Sequence, residues 1–396
     1  MNAKDTCDNT ALIFASWRGK QIVVRMLLED KRDNGLDVNA IDFEGATALM
    51  WASAYGRKEV VEILLKDDRV DINAKNEHDN TALIRASYYG NAKVVEILLK
   101  DKRVKVNAKD KDDATALLWA SRNGNHKVVE LLLKDERKDE PVDVHAKDND
   151  GANALICASK NDHQRTGSKE VVELLLKDKR VEVNTKDNEG RTALIWASCC
   201  GRKDIVKLLL KDDRTDVNAI DEEGRTALIE VSRNGAKRRK GVVEILLKDE
   251  RVEVNAKDSG DRSAFFWVNY LGTPDTIRMF LKRKELNKNA AGGALGNTAL
   301  LKHKELDKNA AGGALGNTAL MWACLRGQDD IVSELLKRKM DVHVKNKAGS
   351  TALDIARELV KNKAGSTALD IARELQILKI VSLLEARAES DRRRDP

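Results

Sequence analysis

Histidine and cysteine are the residue types of this chain that could bind a metal ion or act as nucleophiles. The six histidines show no metal-ligand spacing among themselves or with the five cysteines. Cys199 and Cys200 precede Gly201 at a predicted helix end, with no histidine beside them to act as a base. Nucleotide-binding loops, the Gly-x-Ser-x-Gly turn and the protein-kinase motifs do not occur in the sequence. We therefore expect a protein that is not an enzyme and that has no metal, no cofactor and no small-molecule substrate.

Tyrosine and tryptophan offer a different chemistry, the burial of aromatic rings against another protein. The tripeptide Thr-Ala-Leu recurs along the chain, and early copies begin 34 residues apart, at Thr47, Thr81 and Thr115. A short apolar segment follows each copy. Every tyrosine of the chain occupies one of the last two positions of such a segment; they are Tyr55, Tyr88, Tyr89 and Tyr270. One repeated position therefore carries these aromatic side chains.

The elements that position these residues can be read from one unit, Asp42–Lys75. Gly45 indicates a tight turn, and Thr47 is a suitable N-cap for a short apolar helix that Gly56 ends. Residues 58–66 place their apolar side chains on one broad helical face, which predicts a second helix. One unit cannot bury these faces alone, whereas a stack can, and a fixed period of this length is typical of a solenoid.

The order of turn, Thr-Ala-Leu helix, Gly, Val-Val-Glu-Leu-Leu helix and Val-Asn-Ala segment resembles the ankyrin repeat family over nearly the whole chain. The resemblance implies an all-α fold, an ankyrin-repeat solenoid of helix-turn-helix units joined by β-hairpin-like turns. In this chain Lys-Asp-x-Arg replaces the Gly that usually ends the second helix. Because cations are favourable near free helix carbonyls, this change predicts stabilised helix ends and a charge ladder between units. The six copies are residues 66–69, 100–103, 134–137, 177–180, 211–214 and 248–251.

The domain organisation follows the repeats and their interruptions. We expect ankyrin repeats over residues 1–283, in about eight units of which the first starts in the middle of the pattern. A short duplicated insert occupies residues 284–303, and stacking is predicted to be weakest there. Further repeats follow over residues 304–386, and they contain a 16-residue duplication within residues 344–375. Residues 387–396 are predicted to form a charged, disordered tail.

Composition restricts the partners and the compartment. Charged residues make up 34% of the chain, but the net charge is only +6 and the two signs alternate, so nucleic acid is not expected as a partner. The scattered cysteines fit reduced thiols, which favours the cytoplasm, with the nucleus as the alternative. No apolar stretch has the length of a membrane span, so no membrane partner is expected. We expect a monomer that binds another protein.

The family resemblance also implies where a partner binds, namely on the concave face formed by turn tips and by the ends of the first helices. Aromatic and arginine side chains dominate the energetics of protein interfaces, so they are the expected anchors. The alternative is that the rings only cover adjacent helices. The candidate binding residues are Trp17, Phe43, Tyr55, Tyr88, Tyr89, Arg122, Asn123, Lys160 and Asn161.

A second column, one helical turn earlier, holds five of the six tryptophans: Trp51, Trp119, Trp196, Trp267 and Trp322. Arg85 and Glu230 occupy this column in other units. Because buried positions rarely accept an unpaired charge, we expect the column to be half exposed and to serve mainly in packing between units.

Asparagine recurs in the Val-Asn-Ala segment. In ankyrin proteins the corresponding asparagine is often a substrate of an asparaginyl hydroxylase, so the resemblance implies the same modification here. Hydrogen bonding within the local turn explains the asparagines without any modification. The residues are Asn39, Asn73, Asn107, Asn184, Asn218 and Asn255.

Charged positions at the edges leave further alternatives open. The turn tips are acidic, for example at Glu44 and Glu77, and they either form a solvated edge or steer a basic partner. The basic run Lys237–Lys240 is interpreted as a loop insertion, with a nuclear import signal or an anionic contact as alternatives.

These observations favour a non-catalytic scaffold that binds a protein on the concave face of the solenoid. The alternative is a regulatory or targeting fragment of a larger protein, such as an enzyme, a channel or a ubiquitin-ligase adaptor.

Overall fold

The computed structural model describes residues 2–29, 35–135, 137, 139–160, 168–234, 239–271, 273–283, 317–337, 341–361 and 368–392. The described residues fall into two compact units, here called the first and the second compact unit; the first lies within residues 1–200 and 207–215, and the second within residues 201–206 and 216–396. The predicted insert at residues 284–303 lies outside the described residues.

The first unit is built of paired helices. They are α1 (Ala11–Trp17), α2 (Gln21–Glu29), α3 (Ala48–Ala54), α4 (Lys58–Leu65), α5 (Ala82–Tyr89), α6 (Ala92–Lys100), α7 (Ala116–Arg122), α8 (His126–Leu133), α9 (Ala154–Lys160), α10 (Ser168–Lys177) and α11 (Ala193–Cys199). The next helix, α12 (Lys203–Lys211), is divided between the two units.

The odd-numbered helices are the first helices of each pair and the even-numbered ones are the second. From α1 to α11, each first helix packs against the next first helix, as α3 does against α5, and from α2 to α10 each second helix packs against the next second helix, as α4 does against α6. Leu49 and Met50 of α3, and Val60, Val61 and Leu64 of α4, are fully buried. The first unit is therefore a two-layered stack whose core lies between the layers, as the apolar periodicity predicts.

Local sequence explains where the first helices begin and end. The Thr47 side chain accepts a hydrogen bond from the backbone N–H of Met50 at 3.4 Å and caps α3 as predicted. Gly56 then adopts a φ of +68°, which an L side chain rarely allows. Asn91 of the following unit donates hydrogen bonds to the carbonyls of Ser53 and Ala54 at 2.8 and 2.7 Å. The helix end is thus closed by a side chain of its neighbour.

The turns between units are hairpin-like without forming a ladder of strands. Asp42 Oδ1 accepts hydrogen bonds from the backbone N–H groups of Glu44 and Ala46, which closes the turn. The Glu77 N–H then donates to the Glu44 carbonyl of the preceding tip at 3.1 Å. Within the described ranges the only β-type pairing is the isolated bridge between Lys257 and Ser263.

The Lys-Asp-x-Arg segments form clasps between neighbouring helix pairs, and the stabilisation of helix ends by these clasps stays a prediction. Arg103 Nη2 lies 2.7 Å from Asp101 Oδ2 and donates to the Leu65 carbonyl of the preceding second helix at 2.8 Å. Arg214 makes the same pair of contacts with Asp212 and the Leu176 carbonyl. The preceding second helix lacks the usual glycine at its end. The arginine of the next pair therefore donates a hydrogen bond to one of the carbonyls at that end.

The recurring asparagines also connect units, whereas the sequence suggested bonds within the local turn. Asn73 Nδ2 donates to the Arg103 carbonyl, and its Oδ1 accepts from the Lys105 N–H, both at 2.8 Å. Asn39 bonds in the same way across the preceding joint. Both ends of the amide are used, because the hairpin segment of the next unit presents a carbonyl and an N–H at a matching spacing.

The second unit continues the pattern with helices α13 (Ala227–Arg233), α14 (Lys240–Lys248), α15 (Ala264–Leu271), α16 (Pro274–Leu281), α17 (Ala319–Leu325), α18 (Asp329–Lys337), α19 (Ala352–Lys361) and α20 (Ala368–Arg392). Residues 387–392 belong to α20, although the sequence predicts a disordered tail from residue 387. Arg387 and Asp391 form an i,i+4 ion pair at 3.0 Å and Ala388 is buried, so favourable contacts continue the helix.

The clasps predict an acid-sensitive fold. Hydrogen bonds from Arg103 hold the pKa of Asp101 below its ordinary value of 3.8, and the same cause acts at Asp67, Asp178, Asp212 and Asp249. A carboxylate whose folded-state pKa is depressed stabilises the fold above its unfolded pKa, and this contribution is lost as the pH falls through the folded value. Stability should therefore fall below about pH 4.

Thermal unfolding followed by circular dichroism between pH 7 and pH 3 tests this prediction. A variant with all five aspartates changed to asparagine should be less stable than the wild type at pH 7. It should also lose less stability on acidification. Parallel stability curves for the two proteins would show that the clasps do not cause the acid sensitivity.

Candidate protein-binding face

Four of the aromatic side chains predicted to bind a partner are exposed on the first unit. Phe43 at a turn tip is 58% exposed, and Tyr55, Tyr88 and Tyr89 at the ends of α3 and α5 are 47%, 37% and 56% exposed. Trp17, at the end of α1, is half-buried. Consecutive first helices therefore present large apolar surface to solvent at one repeated position.

The rings of the first two helix pairs form one cluster, here named the Trp17 cluster. It consists of Phe14, Trp17, Trp51 and Tyr55. The centroid of Trp17 lies 5.8 Å from that of Phe14, 6.3 Å from Trp51 and 5.9 Å from Tyr55. These separations are typical of edge-to-face and tilted aromatic pairs. The cluster therefore forms a continuous aromatic surface across the joint between the first two helix pairs.

A second group, the Tyr88 cluster, consists of Tyr88, Tyr89 and Trp119. The Tyr88 centroid lies 4.9 Å from Tyr89 and 5.0 Å from Trp119 of the next unit. Both tyrosines stay more than a third exposed in spite of these contacts. The rings therefore help to join two units and still offer apolar surface.

Cationic side chains lie over the tryptophan rings along the same face. The guanidinium carbon of Arg18 is 4.5 Å from the Trp17 centroid, and that of Arg85 is 4.7 Å from the Trp51 centroid. Such cation–π contacts stabilise by about 0.5–1 kcal/mol at exposed sites. Aromatic and basic side chains thus alternate along the first helices.

The polar candidates in later units already have structural partners. Arg122 lies over Trp119 at 4.7 Å and pairs with the buried Asp148 carboxylate. Asn123 Nδ2 donates to the Tyr88 carbonyl at 3.2 Å. Lys160 Nζ lies 4.6 Å from the Trp196 centroid and 3.5 Å from an oxygen of Asp150. Asn161 lies outside the described residues.

Most tryptophans of the second column donate a hydrogen bond to the aspartate of a turn. Trp51 Nε1 donates to Asp42 Oδ2 at 2.6 Å, and the other oxygen of this carboxylate closes the turn. The same bond joins Trp119 to Asp110, Trp196 to Asp187 and Trp267 to Asp258, always across nine residues. The fixed spacing of Asp and Trp is visible in the sequence. The hydrogen bond between them could be recognised only in the structure, where one carboxylate oxygen accepts from the turn and the other from the tryptophan.

In the repeat that has Glu230 in place of this tryptophan, an arginine is the donor to the turn carboxylate. At Glu230, Arg225 inserts between two acids, with its Nε 2.9 Å from Asp221 Oδ2 and 3.1 Å from Glu230 Oε2. All three side chains are almost completely buried. The expectation of a half-exposed column is therefore wrong at Glu230, because a paired charge can be buried, and also at Trp267, which is 3% exposed.

The two buried cysteines, Cys157 and Cys324, offer little nucleophilic chemistry. Burial raises the pKa of the Cys157 thiol to about 12, and burial raises that of Cys324 to about 12 as well. Both thiols are therefore protonated at neutral pH. Across the described ranges, no group of three or more histidine, cysteine or acidic side chains is arranged to hold a metal ion. The described helices also include none that could cross a membrane.

Comparison with known proteins identifies the family to which this architecture belongs. The family model described as Ankyrin repeats (3 copies) matches residues 1–76, 68–144, 137–221, 164–258 and 239–393. The chain belongs to the ankyrin repeat family. Ankyrin repeats are protein-interaction modules, and the helices described above confirm the predicted all-α fold.

Two individual proteins can be compared with this ankyrin repeat protein. A segment of 57 residues is 47% identical to the E3 ubiquitin-protein ligase XBAT33 of Arabidopsis thaliana. This segment is 14% of the present chain and spans only 10% of that protein. The crystal structure of EF0377, an ankyrin repeat protein, is similar over 51% of this chain and 98% of its own, with 27% identity and a TM-score of 0.46.

The bond between Trp51 and Asp42 predicts a specific loss of stability. Changing Trp51 to Phe keeps a ring but removes the donor to a buried carboxylate, so unfolding should become easier by about 1–3 kcal/mol. Urea unfolding measures this difference. Trp322→Phe is the control, because the Trp322 N–H has no hydrogen-bond partner in the part of the chain that is described. Equal losses in the two variants would mean that ring packing and not the hydrogen bond is responsible.

Proposed function

We propose that this protein is a non-catalytic scaffold that binds another protein on the first helices of its first compact unit. The observation that carries the proposal is the exposure of Phe43, Tyr55, Tyr88 and Tyr89 at successive units. Burying such rings is a main source of binding energy at protein interfaces. Because the helices are already ordered, little conformational entropy is lost on this side of the complex.

The rings are more exposed than a purely structural role would require. Trp17 and Tyr55 contact each other across the first joint, yet Tyr55 stays 47% exposed. Tyr89 packs on Tyr88 and is still 56% exposed. Side chains that only covered neighbouring helices would gain more by lying flat against them. This residual exposure favours an interface over simple packing.

The candidate face is proposed to extend to the later polar residues in a secondary role. Arg122, Asn123 and Lys160 already form ion pairs or hydrogen bonds within the first compact unit. They are therefore proposed to support the aromatic surface and to add polar contacts at its edge. The scaffold is proposed to act as a monomer in the cytoplasm or the nucleus.

Hydroxylation of the recurring asparagines stays a prediction. Asn39 and Asn73 use both ends of their amides in bonds to the next unit. An enzyme would have to reach a side chain that is held at two points, so modification would require local opening of the joint. Mass spectrometry of the protein purified from cells tests for the added oxygen.

A second proposal is that the chain serves as a regulatory or targeting part of a larger protein, such as a ubiquitin-ligase adaptor. The observation that favours it is the 47% identity of one segment to part of a protein named as an E3 ubiquitin-protein ligase. A full-length transcript that encodes a further domain in the same reading frame would support this proposal, and in-frame stop codons both directly before residue 1 and directly after residue 396 would contradict it.

Alanine substitution of Phe43, Tyr55, Tyr88 and Tyr89 tests the binding face. Partner affinity, measured with proteins captured from lysate, should fall about tenfold or more, since interface aromatics often contribute about 2 kcal/mol each. The control is alanine substitution of Ile22, Val23 and Met26, which are exposed apolar residues on α2. Circular dichroism confirms that both variants are folded. Unchanged affinity in the first variant, or an equal loss in both, would contradict the assigned face.

A further inference from the structure

The joint between the first two helix pairs contains a cation where the next two joints use a neutral asparagine. Arg57 Nε donates to the Trp17 carbonyl at the end of α1 at 3.1 Å, and the Arg57 side chain lies against Gly19. At the next joint Asn91 bonds to the end of α3 in the same manner, and Asn125 does so at the joint after it. A neutral amide is therefore sufficient for this structural task, and the positive charge of Arg57 is additional.

Two further cations flank this point. Arg18 and Lys20 are the neighbours of Gly19 in the sequence, and both side chains are exposed. Within the described part of the chain, Arg18, Lys20 and Arg57 take part in no ion pair, whereas Arg122 and Lys160 pair with aspartates. Three positive charges thus surround Gly19 without a carboxylate to neutralise them.

Aromatic side chains surround these cations. The first helices that form the face contain no acidic residues. Helices α1, α3, α5 and α7 contain no aspartate or glutamate. The guanidinium of Arg18 lies over the Trp17 ring, and Trp17 contacts Tyr55. An anionic group that reaches the cations would therefore lie directly beside a large apolar surface.

We propose that Arg18, Lys20 and Arg57, together with Trp17 and Tyr55, form a recognition site for an acidic segment of a partner protein. The inference rests on the proposed function and names the chemistry of the partner. Carboxylates of the segment bind the three cations, and an adjacent apolar side chain packs on the rings. Charge complementarity and the aromatic surroundings together favour a peptide that combines both residue types.

Spacing along the stack defines the segment further. Neighbouring packed helices lie about 8–10 Å apart, and an extended chain advances about 3.3 Å per residue, so one helix pair corresponds to about three residues. A segment whose acidic residues contact Arg18 and Arg57 therefore places a residue about three to six positions away on Tyr88 and Tyr89. A second apolar side chain is expected at that distance.

A continuous polyanion fits this face less well than a short acidic segment. The neighbouring turn tips carry Glu44 and Glu77, and Arg18, Lys20 and Arg57 all lie at the joint between the first two helix pairs. A nucleic-acid backbone carries charge along its whole length, and it would meet these glutamates on leaving the cluster. A peptide can limit its carboxylates to the residues that contact the cations.

Selection from random peptides of about twelve residues displayed on phage tests the proposal, since this length spans about four helix pairs. The test variant is Arg18→Asn, Lys20→Asn and Arg57→Asn. The chain itself has Asn123 at the position of Arg18, and Asn91 and Asn125 at the position of Lys20 and Arg57, so the variant is expected to fold. The control variant, Lys93→Asn, Lys102→Asn and Lys127→Asn, removes the same charge from exposed positions elsewhere in the first unit.

The wild type should enrich peptides that combine carboxylates with an aromatic or aliphatic residue. These peptides should bind the test variant about tenfold more weakly and the control variant unchanged, with affinity that falls as salt is added. Enrichment of neutral or basic peptides, no enrichment, or equal binding to the test variant would overturn the proposal. It would also be overturned if an oligothymidylate bound more tightly than the selected peptides and lost its binding in the same variant.

The outcome can be separated from that of the proposed function. If the aromatic alanine variant loses its partner while the asparagine variant keeps it, the binding face stands and only the assigned partner chemistry fails.

Discussion

In the first compact unit, helix pairs such as α3 and α4 are completed by hydrogen bonds from the next pair. The first helix needs a donor for its terminal carbonyls, which Asn91 supplies from the following unit, and the second helix receives one from Arg103. Asn73 joins the hairpin segments by two further bonds. Because these groups would otherwise be left without partners at helix and turn ends, the units must stack in one register. The regular spacing of the binding face follows from this constraint.

The same joints separate structural from recognition chemistry. A buried carboxylate such as Asp42 divides its two oxygens between the turn and Trp51, so the tryptophan belongs to the framework. Tyr55 and Tyr89 lie one helical turn later in their repeats. They are not needed to complete a turn, and they remain exposed. At the first joint Arg57 meets the structural requirement and adds a charge as well. Residues one turn apart on a single helix therefore serve different purposes.

The sequence predicts much of this architecture and part of the face. The repeated Thr caps, the Lys-Asp-x-Arg helix ends and the exposed tyrosine column all follow from local chemistry and periodicity. The role of Asn73 could not be predicted, because its partners are backbone groups about 30 residues away that any sequence would provide. Burial of Glu230 was missed for a related reason, since its partner Arg225 is recognisable only once the turn brings the two side chains together.

The central claim is that a partner binds across the ends of successive first helices. Hydrogen–deuterium exchange with and without the bound partner tests it directly, because backbone amides report burial segment by segment. The account predicts slower exchange on binding in residues 16–20, 53–57 and 87–91, with little change in α4 and α6. Protection confined to the second helices, with these three segments unchanged, would contradict it.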